Sequence, residues 1–410
     1  MKVKRLTVLF LIVFLSVSGY FVYSLFFNGD NPEDFNDDHK VVKDITTVEI
    51  LCAGDVMYHS SQLDGARRGD GSYEFYDTYK YVEHYIKQAD LSIFNLETTF
   101  SGPPYTGYPS FSTPDNLAET LKGIGFDVVS TSNNHVNDRG IYGIDRTLEV
   151  LRKAHFVTTG SRDKLYRQRW AQTLIKGIQI GTLAYTYQTP STVDRVSING
   201  SFVNQETADR LNSFSYEFLE RDIGKISEQV RLMKESGVEI VVLFLHFGEE
   251  YQLKANMWQR RIVDILLENP DIDVIFGSHP HNLQEFEIYY DRVPVFYSLG
   301  NYVSNQRAET LANKYTETGA MARVTFTYDR GNKEILGVKA EAVPTWVEKY
   351  YKDGRDNYYI IPLDESVSDN PELSASGHLA RALDAKSYSE TLLTRLKDER
   401  VIKEEAEEDE

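Results

Sequence analysis

Ile272-Asp273-Val274-Ile275-Phe276-Gly277-Ser278-His279-Pro280-His281 reads as a buried strand that ends in a tight turn. The apolar run is bounded by glycine and proline, so the chain must bend where the two histidines stand. Two imidazoles one residue apart then leave a rigid strand end. Neutral imidazole is the commonest protein ligand for a transition metal, and a strand holds it better than a long loop does. A solvated turn with two incidental histidines is the competing reading of this stretch alone.

Outward from this turn, the same pattern recurs. Between residues 48 and 303, short β-rich runs alternate with amphipathic helical stretches. The periodicity predicts strands over 48–53, 91–95, 127–131, 178–185, 239–245, 272–276 and 293–298, with a hairpin partner at 172–176. Helical spacing covers 73–88, 116–123, 141–153, 219–235 and 256–267. Such alternation implies a largely parallel or mixed sheet with helices outside it. Residues 321–328 and 334–342 read as a hairpin around Asp329-Arg330-Gly331-Asn332, and a terminal helix is expected over 379–397. Residues 191–216 are polar and weakly periodic, either a surface loop or a lid.

Polar, metal-binding residue types recur at the strand ends. The first strand leads into Gly54-Asp55, the second ends in Asn95-Leu96-Glu97, and the third leads to Asn133-Asn134-His135. The valine- and leucine-rich strand ends in His246-Phe247-Gly248-Glu249-Glu250-Tyr251. In open α/β sheets the carboxyl ends of the strands share one edge, where ligands bind. Asp55, Glu97, Asn134, His135, His246, His279 and His281 are therefore expected neighbours. Oxygen and nitrogen donors of this kind suit one or two divalent ions of Mn, Fe or Zn. A carboxylate bridging two cations roughly 3.5–4 Å apart lets them grip a phosphoryl group and activate water.

The 410 residues carry a formal charge of -18, and 41% are hydrophobic. The chain can bury a large core, while its surface repels polyanions. No basic stripe offsets that charge, so nucleic acid is not an expected partner. Cys52 is the single cysteine, which rules out a disulfide or thiolate cluster within one chain. Tyr105, Tyr108, Tyr185, Tyr187 and Tyr251 fall in or near the expected edge loops. An aromatic surface there suits glycan or polyamide contact, as it equally suits capping a core. Lys2, Lys4 and Arg5 precede an uncharged stretch over 6–27, long enough to cross a bilayer. An uncleaved signal anchor is the expectation: basic flank in the cytoplasm, body outside, and an acidic tether over 28–46 between them. The last residues, 403–410, form an acidic tail.

Six ordered motifs carry a resemblance: Gly54-Asp55, Asn95-Leu96-Glu97, Asn133-Asn134-His135-x-x-Asp138-x-Gly140, His246-x-Gly248-x-Glu250-Tyr251, Gly277-x-His279-Pro280-His281 and Ser298-Leu299-Gly300-Asn301. The series resembles that of the bacterial capsule-synthesis CapA family, associated with poly-γ-glutamate production, and spans about residues 48–303. That family in turn resembles the calcineurin-like metallophosphoesterases. The likeness implies a four-layer α/β/β/α sandwich. That domain is expected over 47–345, between the anchor and tether (1–27, 28–46) and a C-terminal helical extension (346–410). The likeness also implies a first metal held by Asp55 and His281, Glu97 as the bridge, and a second metal held by Asn134, His246 and His279. His135 would be the proton donor or a transition-state stabiliser, oriented by Asp138, while Glu250 and Tyr251 would line the pocket. Asn301, by its place at the same sheet edge, is a further candidate to meet substrate, or else closes a turn.

One position departs from the phosphoesterase pattern. Those enzymes usually carry a histidine two residues after the first aspartate; here it is Met57. A thioether is a poor ligand for a hard dication, and His59 is the candidate replacement. The expected function is membrane-anchored, metallophosphoesterase-like work in capsule or poly-γ-glutamate biosynthesis, export or anchoring. Its expected partners are the membrane, a synthase complex and that complex's anionic polymer. A metal-dependent hydrolase of other cell-surface substrates is one alternative, and a non-catalytic polyanion-binding assembly factor is another.

Overall fold

The computed structural model describes residues 44–193 and 195–407, with side chains as far as residue 393. The expected anchor and nearly all of the tether lie outside the described residues. Among those described, no helix is long and apolar enough to cross a membrane.

Runs of β-branched and aromatic residues form the strands, because such side chains fit a pleated, buried surface. In chain order they are β1 (Ile45–Val56), β2 (Leu91–Leu96), β3 (Val128–Ser130), β4 (Val157–Thr159), β5 (Trp170–Ile175), β6 (Ile178–Gln188), β7 (Ser197–Ile198), β8 (Ser201–Phe202), β9 (Ser213–Ser215), β10 (Ile240–His246), β11 (Val274–Ser278), β12 (Phe286–Tyr289), β13 (Val293–Phe296), β14 (Asn301–Val303), β15 (Thr318–Asp329), β16 (Glu334–Lys352) and β17 (Arg355–Pro362). One sheet has the order β17-β16-β15-β1-β2-β3-β4, with β14 also on β1. The other runs β12-β13-β11-β10-β6-β5, with β9 also on β6. Strands β1 to β4 are mutually parallel, as are β6, β10, β11 and β13.

Alternation along the strands builds the layers. Ile50 and Cys52 of β1 and Ile93 of β2 face Ile180, Val242, Phe244 and Phe276 of the second sheet, which closes a dry core between the two. The intervening Leu51, Ala53 and Phe94 turn outward onto Leu117, Leu121 and Leu151, carried by helices Asn116–Gly123 and Gly140–Lys153. On the far side Leu243, Leu245 and Ile275 meet Ile223, Ile226, Ile262 and Val263 of helices Leu219–Glu235 and Met257–Leu266. The result is helix, sheet, sheet, helix. Each leucine, isoleucine, valine or phenylalanine among them contributes about 1.5–3 kcal/mol on burial. Cys52 is one of these core residues and is free.

Two glycines let the strands close up beside the expected site. A Cβ on Gly54 would lie 2.1 Å from the Gly300 carbonyl oxygen, and one on Gly277 would lie 2.2 Å from that of Tyr297. Neither position has room for alanine.

Three expectations change. The helix read over 73–88 is two short helices, Tyr76–Tyr79 and Glu83–Gln88. Between them Lys80 Nζ and Tyr81 Oη reach Glu372 Oε1 at 2.7 and 3.0 Å, so distant contacts override local helical spacing. The boundary expected at 345/346 falls inside β16, and β17 then extends the same sheet. Asp353 and Gly354 both have positive φ and make the hairpin that returns β17. Residues 191–216 hold the β7–β8 hairpin, helix Gln205–Ala208 and β9, which adds to β6.

Candidate metal centre

Parallel pairing brings the chemistry-bearing residues to one edge. Asp55 lies near the end of β1 and is fixed there by its N–H donating to Gly300 O at 3.0 Å. Glu97 comes directly after β2 and donates its N–H to Val56 O at 3.0 Å. Asn134 and His135 lie just beyond β3, His246 ends β10, and His279 and His281 lie just beyond β11. All seven are at most 4% exposed.

The structure brings them together. Ligand atoms of Asp55, Glu97 and His246 lie within 4.8 Å of one another, and so do those of Glu250, His279 and His281. The two groups touch: His281 Nδ1 is 3.3 Å from Asp55 Oδ2, and its Nε2 is 3.8 Å from Glu97 Oε1. His246 Nε2 is 3.7 Å from Glu97 Oε1 and 2.8 Å from Asn134 Oδ1. Glu250 is thereby added to the neighbours of the two turn histidines, and backbone geometry sets its place there. His279 and His281 have φ of 104° and 56°, and the Tyr251 N–H donates to the Pro280 carbonyl between them at 2.8 Å. Left-handed conformations at two non-glycine residues cost about 1–3 kcal/mol each and cluster at functional sites.

The donor set fits a divalent cation. Asp55 Oδ2, both Glu97 carboxylate oxygens and His279 Nδ1 are buried without a hydrogen-bond partner. Buried polar atoms are nearly always paired, and a bound cation would satisfy all four. Burial pushes the Glu97 carboxyl well above the usual range, and the neighbouring Asp55 charge adds to this. Burial also raises Asp55, but His281, His246 and Ser278 outweigh it and hold that carboxyl below its ordinary value. Burial presses His246 down to about 3 and His279 well below its usual value. These two histidines are thus neutral, the form in which imidazole binds a metal.

His135 stands beside the cluster. Its Nδ1 lies 2.9 Å from Asp138 Oδ2, and its ring packs edge-on against Phe111, with centroids 4.7 Å apart. With Nδ1 committed to a carboxylate, Nε2 is the nitrogen left for a reacting group.

Other expected residues take different places. Asn301, expected to meet substrate, is fully buried behind His281, its Oδ1 3.0 Å from that residue's Nδ1. It orients the ligand, because its amide also donates to Thr316 O at 2.9 Å. His59 lies outside both groups. Its Nδ1 accepts the Asn305 N–H at 3.3 Å, and burial lowers its pKa to about 4. It lines an adjoining cavity of about 400 Å³ together with Met57, Tyr108, Asn134, His135 and Tyr251. Tyr251 is at the rim, and burial, with the charge of Glu250 next in weight, raises its hydroxyl to about 12.

Three supporting residues stand in the quoted motifs without an assigned role. Asn95 Nδ2 donates to Asp55 Oδ1 at 2.7 Å. Asn133 Nδ2 donates to Leu96 O at 2.7 Å and to Asn95 Oδ1 at 3.2 Å, while its Oδ1 accepts the His135 N–H at 3.1 Å. Ser278 Oγ donates to Asp55 Oδ1. Two asparagines buried at strand ends were the available signal, since a buried amide must have partners.

Residues 49–306 match the family model described as bacterial capsule synthesis protein PGA_cap. Among curated proteins, the chain is 26% identical over 265 residues to the capsule biosynthesis protein CapA of Bacillus anthracis, covering 63% of this chain and 60% of that one. It is 28% identical over 239 residues to the PGA biosynthesis protein CapA of Bacillus subtilis (strain 168), covering 56% and 57%. These matches span under two thirds of either relative's length. Among solved structures it is similar to a phosphatase from Mycoplasma pneumoniae, with 14% identity, TM-score 0.43 and coverage of 73% of this chain and 94% of that one. It is also similar to the calcineurin-like phosphoesterase YfkN from Bacillus subtilis, with 12% identity, TM-score 0.43 and coverage of 73% and 90%.

Proposed function

The chain belongs to the PGA_cap family of bacterial capsule synthesis proteins, and from that premise we propose that it serves capsule or poly-γ-glutamate biosynthesis, export or anchoring as a metal-dependent phosphoesterase. In this reading the N-terminal apolar stretch holds it in the cell membrane with the folded domain outside, beside a polymer synthase. The observation that carries the catalytic part is the set of partnerless buried donors on Asp55, Glu97 and His279. They sit beside a histidine–aspartate pair poised for proton transfer.

Asp55, Glu97, Asn134, His246, His279 and His281 would hold one or two cations of the Mn, Fe or Zn type, with Glu250 within reach. Such ions supply Lewis acidity toward a phosphoryl oxygen and a nucleophile at neutral pH. The chain's own residues do the rest. His135 gives the proton on its Nε2 to the leaving oxygen as the P–O bond breaks and a water oxygen joins phosphorus, the water's own proton passing to solvent. Asp138 stabilises the imidazolium and fixes the ring. The buried edge excludes bulk water and strengthens each of these interactions.

Met57 favours a second reading. It is buried and lines the cavity, where the phosphoesterase pattern has a ligand. A site short of one donor could bind anionic polymer without turning over. One experiment separates the two. Purify the full chain in detergent, measure bound metal by elemental analysis, and assay bis(para-nitrophenyl) phosphate with added Mn or Zn. Turnover that disappears in both His135→Ala and His281→Ala supports hydrolysis. Bound metal with no turnover on any ester supports the binding role.

A further inference from the structure

Next to the cavity that opens on the metal ligands is a second of about 370 Å³. Tyr108, Asn134 and Asn199 belong to both walls, so the two form one trough. His135 lines the first chamber and Asp138 the second. The second chamber therefore extends the trough past Asp138, where substrate beyond the phosphoester would lie.

Its walls have a definite chemistry. Asn137, Asn199, Ser110 and Ser201 offer amides and hydroxyls, while Tyr108, Pro109 and Ile198 offer flat or apolar faces. Tyr108 is 72% exposed, and its ring stands edge-to-face with that of His135, centroids 6.4 Å apart. Among the described residues, neither chamber's lining contains a lysine or arginine, and Asp138 adds a negative charge. A polyanionic portion of the substrate would find no lysine or arginine in these walls, and the chain's overall charge of -18 opposes it. A sugar fits. Its hydroxyls match donors and acceptors that amides supply together, and its C–H faces pack on tyrosine and proline rings.

We propose that the trough formed by Tyr108, Asn137, Asn199 and Ser201 beside His135 binds an uncharged glycan portion of the substrate. This rests on the hydrolytic reading only in calling the glycan part of a substrate, and it excludes an anionic polymer chain from this arm of the site.

The test is binding, which does not depend on turnover. Titrate the full chain, loaded with Mn, with neutral tetrasaccharides of N-acetylglucosamine, glucose and mannose, and separately with tetraglutamate. At least one tetrasaccharide is expected to bind, with Kd raised fivefold or more in Tyr108→Ala and in Asn199→Ala, while tetraglutamate does not compete. The thermal midpoint of each variant checks folding. Binding of none of the three sugars, displacement by tetraglutamate, or Kd values unmoved in both folded variants would overturn the proposal. Assaying bis(para-nitrophenyl) phosphate in parallel keeps the two readings apart. Sugar binding without turnover removes hydrolysis and leaves the glycan trough standing; turnover without sugar binding does the reverse.

Discussion

Asp138 Oδ2 meets two donors at once: it lies 2.9 Å from His135 Nδ1 and accepts the Phe111 N–H at 2.7 Å. The carboxylate is thereby locked by the main chain, and it locks the imidazole in turn. Its replacement separates orientation from charge. Asp138→Asn keeps an acceptor for Phe111 but cannot stabilise an imidazolium as a carboxylate does. Its kcat on a chromogenic phosphodiester is expected to fall about 10- to 100-fold or more, with bound metal unchanged. Unchanged kcat in a folded Asp138→Asn protein would contradict the role given to His135.

Glu97 yields two effects of opposite sign. In metal-free protein it is a carboxyl whose two oxygens are buried without partners. Burial holds that carboxyl well above its ordinary value, so folding at neutral pH costs either a buried charge or the uptake of a proton, and Glu97→Gln, which cannot ionise, should raise metal-free stability. Added Mn or Zn stabilises the parent by about 2.7 kcal/mol at a hundred times Kd, and this gain should vanish in the variant. Thermal melts after chelation, with and without metal, read both effects.

The legibility of each feature in the sequence depends on where its signal resides. The strand ends were readable because β-branched runs and the residues just after them are local. The two-sheet order was not, since only the packing of β1 and β2 on β10 and β11 decides it. Glu250 as a neighbour of His279 and His281 depends on the Tyr251–Pro280 hydrogen bond and on positive φ at residues 279 and 281. No periodicity encodes these. Asn301 was visible as a site residue, yet its burial behind His281 needs the β1–β14 pairing. The β17 strand did carry a local sign, Asp353-Gly354, placed after a run rich in tyrosine.

A pH effect is expected far from the metal ligands. Asp273 is buried at the start of the strand region that leads to the histidine turn. Burial raises its pKa to about 6, although its Oδ2 accepts the Val241 N–H at 2.8 Å. The folded state therefore holds a proton that the unfolded state releases near its ordinary value of 3.8. Stability from this group is complete below that value and is lost as pH rises through about 6. Asp273→Asn should stabilise the protein by on the order of 2 kcal/mol at pH ~7, with the gain shrinking toward zero near pH ~4. Denaturant melts at both pH values test the sign.

Gly277→Ala puts a methyl group 2.2 Å from Tyr297 O and 2.8 Å from the Phe247 ring. Backbone cannot yield there without moving His279. A loss of about 1–3 kcal/mol or more is expected, together with weaker metal retention on dialysis. Gly123→Ala, at a helix end where nothing lies within 4 Å of the new atom, serves as the control: it should leave metal retention unchanged and cost no stability.

The long β16 strand crosses the point where the sequence pattern alone would end the enzyme-like part. Its residues Pro344, Thr345 and Trp346 pair with Ala320, Gly319 and Thr318. Gly319 in turn bridges Gly300, next to the asparagine that steadies His281. Arg381, on the helix beyond, donates to both carboxylate oxygens of the fully buried Glu317 at 2.8 Å. A version trimmed after residue 345 would unzip this seam, leave the Glu317 carboxylate to the more distant Arg307 guanidinium at 3.6 Å, and bare a sticky sheet margin. Aggregation would be its first symptom, and a slackened histidine its second.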